Sequence, residues 1–307
     1  MANEITFATI GDLTVVESIT NEYLLLLADR NALPNHSALV YAGDIGVGAR
    51  SNTLKVPHIG LMGYNLLAST ADGAAVANTA LTDGSTTIAV ARYSKSYEAT
   101  DLAKMTANGL VNIAAFAMDA MVSGAMTLTS LIAALVAGFS TVVGTSGVDA
   151  TFANFLDAIT ALEIAKVEGP YMAVLHPVQW GDIRKDLGTV SGGAIQFAPA
   201  TPEFIMARGI GFQGQLAGVD VFTSTYVPTA NAGADRAGGM FGRGAILWAD
   251  GSIVNDDPSG QSIVIAGKVL FERVRTGKSG LTAYVSHRYL GTSEGIDACG
   301  VSVITDA

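Results

Sequence analysis

Apolar residues recur at spacings of three and four in some parts of the chain and at alternate positions in others, and these two periods divide it into elements. Leu13, Val16, Ile19, Tyr23 and Leu26 predict a helix over residues 13–29, with Asp12 as N-cap and NALPN as its end. Phe152, Phe155, Leu156, Ile159 and Leu162 share one face of a second helix, over residues 152–166. Residues 53–97 read instead as two extended arms, TLKVPHIGLMGYNLL and STTIAVARYSKSYEA, around a middle of small and turn-forming residues. This is the pattern of a long hairpin. Twelve residues of strand reach about 40 Å, so such a hairpin extends past a compact body and needs a surface to lie on. A neighbouring copy of the chain is the natural one.

A helical region starts near residue 101 and runs into the uncharged stretch 120–148, with Gly124 and Gly138 as expected interruptions. That stretch is long enough to span a membrane. It is diluted by Ser, Thr and Gly, lacks a basic flank between Lys104 and Lys166, and has no aromatic belt, so a buried helix is the reading. Gly169 and Pro170 then punctuate, before a buried strand, YMAVLH, and a short helix opening at Pro177 and stopping at Gly188. Residues 188–247 read as loops and short strands. The tail runs SIVIAGKVLFERVRTG, LTAYVSHRY and ACGVSVIT predict one antiparallel sheet, in which Leu281, Ala283, Val285, His287 and Tyr289 alternate with Thr282, Tyr284, Ser286 and Arg288.

Composition changes the picture in one respect. Of 307 residues 50% are hydrophobic and only 14% charged, where a soluble monomer carries about 25%. Much of the surface is therefore expected to be covered by copies of the same chain. The net charge of -10 argues against a tight grip on a phosphate backbone, so any contact with nucleic acid should be loose. Cys299 is the single cysteine, so no intrachain disulfide forms and a small buried side chain is expected. The opening residues, MANEITFATIGDLTVVES, lack a secretory pattern, which points to a cytosolic origin.

Candidate chemistry is sparse. Gly209, Gly211 and Gly214 form a G-x-G-x-x-G, the spacing that cradles a dinucleotide pyrophosphate, but about 0.45 such matches arise by chance in so glycine-rich a chain. A nucleotide loop also needs a helix after the third glycine, whereas QLAGVDVFTSTYVP alternates as a strand. Asp235 lies at the distance of a ribose-binding carboxylate, within the loop-like NAGADRAGG. His36, His58, His176 and His287 are scattered, with no metal spacing. His176 reads as a helix cap or packing residue and His287 as a strand residue. No G-x-S-x-G elbow is present. Asp256 and Asp257 adjoin Pro258 in a turn. Lys268, Arg273, Arg275 and Lys278 around Glu272 could meet phosphate, though mixed charges pairing across an interface are the simpler reading. No catalytic, cofactor or metal site is expected.

The order of elements, with AVLHPVQWGDIRKDL and the later G-x-x-x-G-V-D-V-F-T-S at residues 214–224, resembles the tailed-bacteriophage major capsid protein over nearly the whole chain. The resemblance implies an α+β fold, the HK-ninety-seven-like capsid fold. Residues 1–52 would form an N-terminal arm and the start of a peripheral domain, and 53–97 an extended loop lying over an adjacent subunit. Residues 98–150 would hold the spine helix, 151–249 an axial domain, and 250–307 the peripheral domain's C-terminal strands. It implies hexamers and pentamers closing an icosahedral shell around packaged double-stranded DNA, in a virion assembled in the host cytoplasm, without cofactor or membrane. Scaffolding, portal or decoration proteins are further expected partners. Some family members weld subunits through a lysine in the extended loop. Here Lys55 and Lys95 lie only at its base, so non-covalent interlocking is expected. No long charged helix precedes the arm, so scaffolding would come from a separate protein or a removed segment. A nanocompartment shell enclosing a protein cargo, a nucleotide-binding enzyme using residues 209–214, and a membrane protein anchored by residues 120–148 are the alternatives.

Overall fold

Two β-sheets and one long helix organise the chain. The computed structural model describes residues 4–5, 33, 36–46, 49–59, 72, 75, 83–106, 113–189, 197–203, 205, 211–253, 263–265 and 268–306. The expected helix over 13–29 and the turn Asp256–Asp257–Pro258 lie outside them. Along the chain come β1 (Glu4–Ile5), β2 (Leu39–Ile45), β3 (Thr53–Ile59), β4 (Asp83–Ala89) and β5 (Ala91–Thr100), then helices α1 (Asp101–Thr106) and α2 (Ile113–Val136). β6 (Val142–Val143), α3 (Phe152–Ile164), β7 (Met172–Leu175) and α4 (Pro177–Thr189) follow. Next are β8 (Phe197–Pro199), β9 (Phe212–Leu216), β10 (Val219–Thr223), β11 (Thr229–Ala230), β12 (Asp235–Phe241) and β13 (Ile246–Gly251). The chain ends in β14 (Ile263–Ile265), β15 (Val269–Thr276), β16 (Leu281–Glu294) and β17 (Gly300–Asp306).

The first sheet has seven strands, ordered β1-β5-β16-β13-β2, with β15 also beside β16 and β14 beyond it. The second has eight, ordered β6-β17-β12-β7-β10-β9-β8, with β11 on β12. The three tail runs therefore do not make one sheet. β15 and β16 pair antiparallel in the first, while β17 pairs with β12 in the second, register Gly239↔Ser302. Its Val301 and Val303 supply apolar groups to the larger core, which is what draws the last run across.

α2 joins the sheets. Ala125, Leu128, Thr129, Ile132, Ala133 and Val136 are buried at spacings of three and four, and the helix packs on β15 and β16 of one sheet and β12 and β17 of the other. By length and composition it could cross a membrane; here its small-residue stripe is core. Gly124 does not interrupt it. A Cβ there would lie 3.1 Å from Val269 and 3.4 Å from Arg288, so the glycine lets helix and sheet approach. Gly138 falls just beyond the end.

α3 begins where Thr151 Oγ1 accepts from Asn154 N at 3.2 Å and Asp186 accepts from Phe152 N at 2.7 Å. It buries Phe152, Phe155, Ala158 and Leu162. Beside it, β7 is buried throughout and runs parallel to β10, register Val174↔Phe222.

Candidate assembly surface

β3 and β4 form a separate two-stranded stem, register Leu54↔Ile88 and Val56↔Thr86. Its second expected arm divides at Val90. Residues 83–89 stay with β3, while 91–100 enter the first sheet against β16, register Ser94↔His287. Period-two patterning gives the stem two faces. Thr53, Lys55, Pro57, Ser85 and Thr87 are exposed, while Ile88 is fully buried with Val90, Leu247 and Ala249, and Leu54 and Val56 pack against them. The stem thus lies on its own body. Its further reach, residues 60–71, 73–74 and 76–82, is outside the described residues.

Glycine fixes the root. A Cβ on Gly291 of β16 would meet the Ala89 carbonyl oxygen at 2.4 Å, and one on Gly251 would meet Tyr289 Cβ at 2.8 Å.

Below the root a charge network ties the first sheet together. Asp250, 1% exposed, lies between Lys268 Nζ at 3.1 Å and Arg288 Nη2 at 3.6 Å. Arg288 Nη1 donates to the Gly124 carbonyl at 2.7 Å, and Lys268 reaches Asp44 at 3.0 Å. Burial depresses the Lys268 ammonium, but its hydrogen bond to Asp44 and the charge of Asp250 outweigh it and hold the group above its ordinary range. Burial draws the Arg288 guanidinium down, and the charge of Asp250 opposes that.

A second tie joins the two sheets. His36 Nδ1 accepts from Ala38 N at 3.1 Å, so Nε2–H donates to Asp220 Oδ2 at 2.9 Å, and Gln215 donates to the other oxygen at 2.7 Å. Asp220 is the acid of the G-V-D-V-F motif. Its neighbours Val219, Val221 and Phe222 are also buried.

The remaining candidates separate in space. Gly209 lies outside the described residues. Gly211 accepts from Thr223 N at 2.7 Å, and Gly214 sits within β9 at φ +132°, where a Cβ would stand 2.3 Å from Ala198 O. A turn at Ala217 and Gly218 leads to β10, so no helix N-terminus faces these glycines. Asp235 is not in a loop. It opens β12, fully buried, and Ser146, Asn231 and the Gly147 amide hold its carboxyl below the ordinary range. His176 Nδ1 accepts from Val178 N at 3.3 Å at the start of α4, and burial, aided by Arg236, lowers its pKa. His58 is on the stem. His287 lies between Ser94 Oγ at 2.8 Å and Glu272 at 3.4 Å. Among the described residues no group of three His, Cys, Asp or Glu is placed to hold a metal. Cys299 is buried, which raises its thiol. The mixed charges of the tail are paired largely inside the chain: Lys268 as above, Arg275 with Asp101 at 3.0 Å, and Glu272 with His287. Arg273 and Lys278 are exposed. Lys95 belongs to β5, where it pairs with Asp119 of α2.

Several large apolar side chains are exposed among the described residues. Leu102 and Met105 of α1 are 62% and 73% exposed, next to Asp101 and its partner Arg275, and Val274 is also exposed on β15. Ile164 at the end of α3 is 76% exposed, and Val142 of β6, Val148, Val178 of α4 and Tyr226 are also exposed. Sequence reasoning missed Asp250, Arg288 and Gly291. A lone acid in AILWADG and a lone arginine in an alternating strand were the available signals.

No family model and no curated protein matches the chain by sequence. Solved structures match its fold. The capsid of cyanophage P-SCSP1u superposes with TM-score 0.60 at 11% identity, covering 88% of this chain and 86% of that one. The head of Helicobacter pylori bacteriophage KHP40 gives 0.57 at 11%, covering 100% and 95%. The holo-SrpI encapsulin complex from Synechococcus elongatus PCC 7942 gives 0.58 at 9%, covering 96% and 91%. The chain has the α+β fold of tailed-phage capsid proteins.

Proposed function

We propose that the chain is a structural subunit that self-assembles into hexamers and pentamers of an icosahedral shell, the major capsid protein of a bacteriophage virion. The observation that carries this is end-to-end agreement of fold with phage capsid chains, covering 100% of this chain in one case. The first sheet with α2 supplies the peripheral part, and the second sheet with α3 and α4 the axial part. β3 and β4 form the stem of an extended loop. The residues after it include Leu61, Met62, Tyr64, Leu66 and Leu67, an apolar run that a neighbouring copy would cover. Large permanent interfaces run to about 2,000 Å² or more, so repeated apolar burial closes a shell without covalent welding. Packaged double-stranded DNA would touch an acidic wall loosely.

A shell enclosing protein is the second reading, favoured by the encapsulin match. Deleting residues 60–82 tests the shared claim: the body should stay folded while closed particles vanish. Normal particles from that deletion would refute it. Nucleic acid or protein inside intact particles then separates the two readings.

A further inference from the structure

The Thr53↔Ala89 pairing of the stem continues by one residue: Val90 N donates to Asn52 O at 2.9 Å, and Asn52 Nδ2 donates to Val90 O at 3.4 Å. Two residues outward on each side of that pair stand Arg50 and Arg92. Arg92 is also paired with Tyr289 across the β5–β16 ladder. The result is a cleft of about 510 Å³ lined by Arg50, Arg92, Ser252, Tyr289 and Val90, among others, and by no carboxylate.

Arg50 and Arg92 are exposed, and among the described residues neither guanidinium makes an ion pair or hydrogen bond. The acids next in sequence to the lining, Asp44 and Asp250, are held by Lys268 at 3.0 and 3.1 Å and do not line the cleft. Two like charges drawn into one cleft repel each other, and no acid of the lining offsets them. The hydroxyls of Ser252 and Tyr289 also have no hydrogen-bond partner among the described residues.

We propose that the cleft is a phosphate site, in which one phosphate dianion bridges Arg50 and Arg92 and accepts from the hydroxyls of Ser252 and Tyr289. A guanidinium fork matches phosphate oxygens two at a time. A phosphate monoester carries about -1.5 to -2 charge at pH 7 and three strong acceptor oxygens, so it answers both cations and both hydroxyls. A singly charged carboxylate has fewer oxygens and leaves one cation uncompensated. The cleft far exceeds the volume of about 10–15 Å³ that one water needs, so a polyatomic ion enters with part of its hydration shell. The group is inorganic phosphate or the terminal phosphate of a larger molecule, and a singly charged phosphodiester is the poorer match. Occupancy is read from binding alone, whether or not shells form.

Titration calorimetry of the full chain with inorganic phosphate tests the site. Binding should be saturable, and R50A/R92A should weaken it at least tenfold with an unchanged thermal unfolding profile in phosphate-free buffer. R50K/R92K should weaken it severalfold, because lysine keeps the charge and loses the fork. Lys278→Ala, which removes an exposed cation outside the cleft, should change nothing. Phosphate should also raise the unfolding midpoint of the wild-type chain and not that of R50A/R92A. A short DNA strand carrying a 5′ phosphate identifies the source: tighter binding than inorganic phosphate assigns the group to a nucleic-acid end, and weaker or equal binding assigns it to free phosphate. No saturable phosphate binding, undiminished binding by R50A/R92A, or an equal loss in Lys278→Ala would each overturn the site. The same strand without its terminal phosphate, if it binds more tightly than inorganic phosphate and is lost in R50A/R92A, would overturn the dianion in favour of a diester backbone.

Discussion

Gly291 of β16 lies directly against the main chain of Ala89, leaving no room for a side chain: a Cβ would be 2.4 Å from the Ala89 oxygen and 2.9 Å from its carbonyl carbon. Because the obstacle is backbone, the stem must move. Gly291→Ala is expected to destabilise by about 1–3 kcal/mol, the range of overpacking. Thermal unfolding of the soluble subunit checks the size, and an unchanged midpoint would show that the root is pliable.

Asp250→Ala removes a carboxylate that is 1% exposed and leaves Arg288, 8% exposed, without its counter-charge. Breaking one side of a buried ion pair costs about 3–5 kcal/mol. Urea unfolding should show that loss, and pairing the change with Arg288→Met should recover part of it. A loss below about 1 kcal/mol would mean that Lys268 does not hold Asp250 in solution.

His36→Ala takes from the buried Asp220 the donor that ties the β2 segment to the second sheet. About 1–3 kcal/mol should be lost. Asp220→Asn with His36 retained should be milder, because an amide still bonds to the ring. Equal effects would contradict the tautomer assigned from Ala38.

Glu294 and Asp297 give opposite pH signs. Burial, then the hydrogen bond and charge of Asp297, push the Glu294 carboxyl above its ordinary value. Hydrogen bonds from Ser140 hold Asp297 below its own. A carboxyl raised in the folded state binds its proton more tightly there, so its contribution is present below the unfolded value of 4.5 and is lost as pH rises through the folded value. The Asp297 contribution is present above 3.8 and is lost on acidification. Glu294→Gln should therefore raise the unfolding midpoint at pH 7 more than at pH 4. An equal rise at both would place the effect in packing rather than in the proton.

Element type was largely legible, because helical and alternating periods are local. Phe152, Phe155 and Leu162 marked α3, and the β3–β4 arms were visible in their alternation. Partnership was not. Nothing in ACGVSVIT says that it leaves β16 for β12, and nothing in STTIAVARYSKSYEA says that it divides at Val90, since both follow from contacts across long sequence distances. Asp235 looked like a loop residue because its stabilising donors, Ser146 and Gly147, come from a distant segment. On β16 the sense of the alternation was hidden. Thr282, Ser286 and Arg288 face inward because Gly124 and Asp250 meet the arginine there. Glycine carried two meanings that composition could not separate: Gly214 serves a strand irregularity, and Gly291 a close crossing.

Sedimentation velocity of the purified full chain, with electron microscopy of the fastest-moving material, tests assembly most directly. The bulk should run as closed shells in which each hairpin end rests on an adjoining subunit. A single slow species near 31.5 kDa at high concentration, its hairpin turned back on its own body, would contradict it.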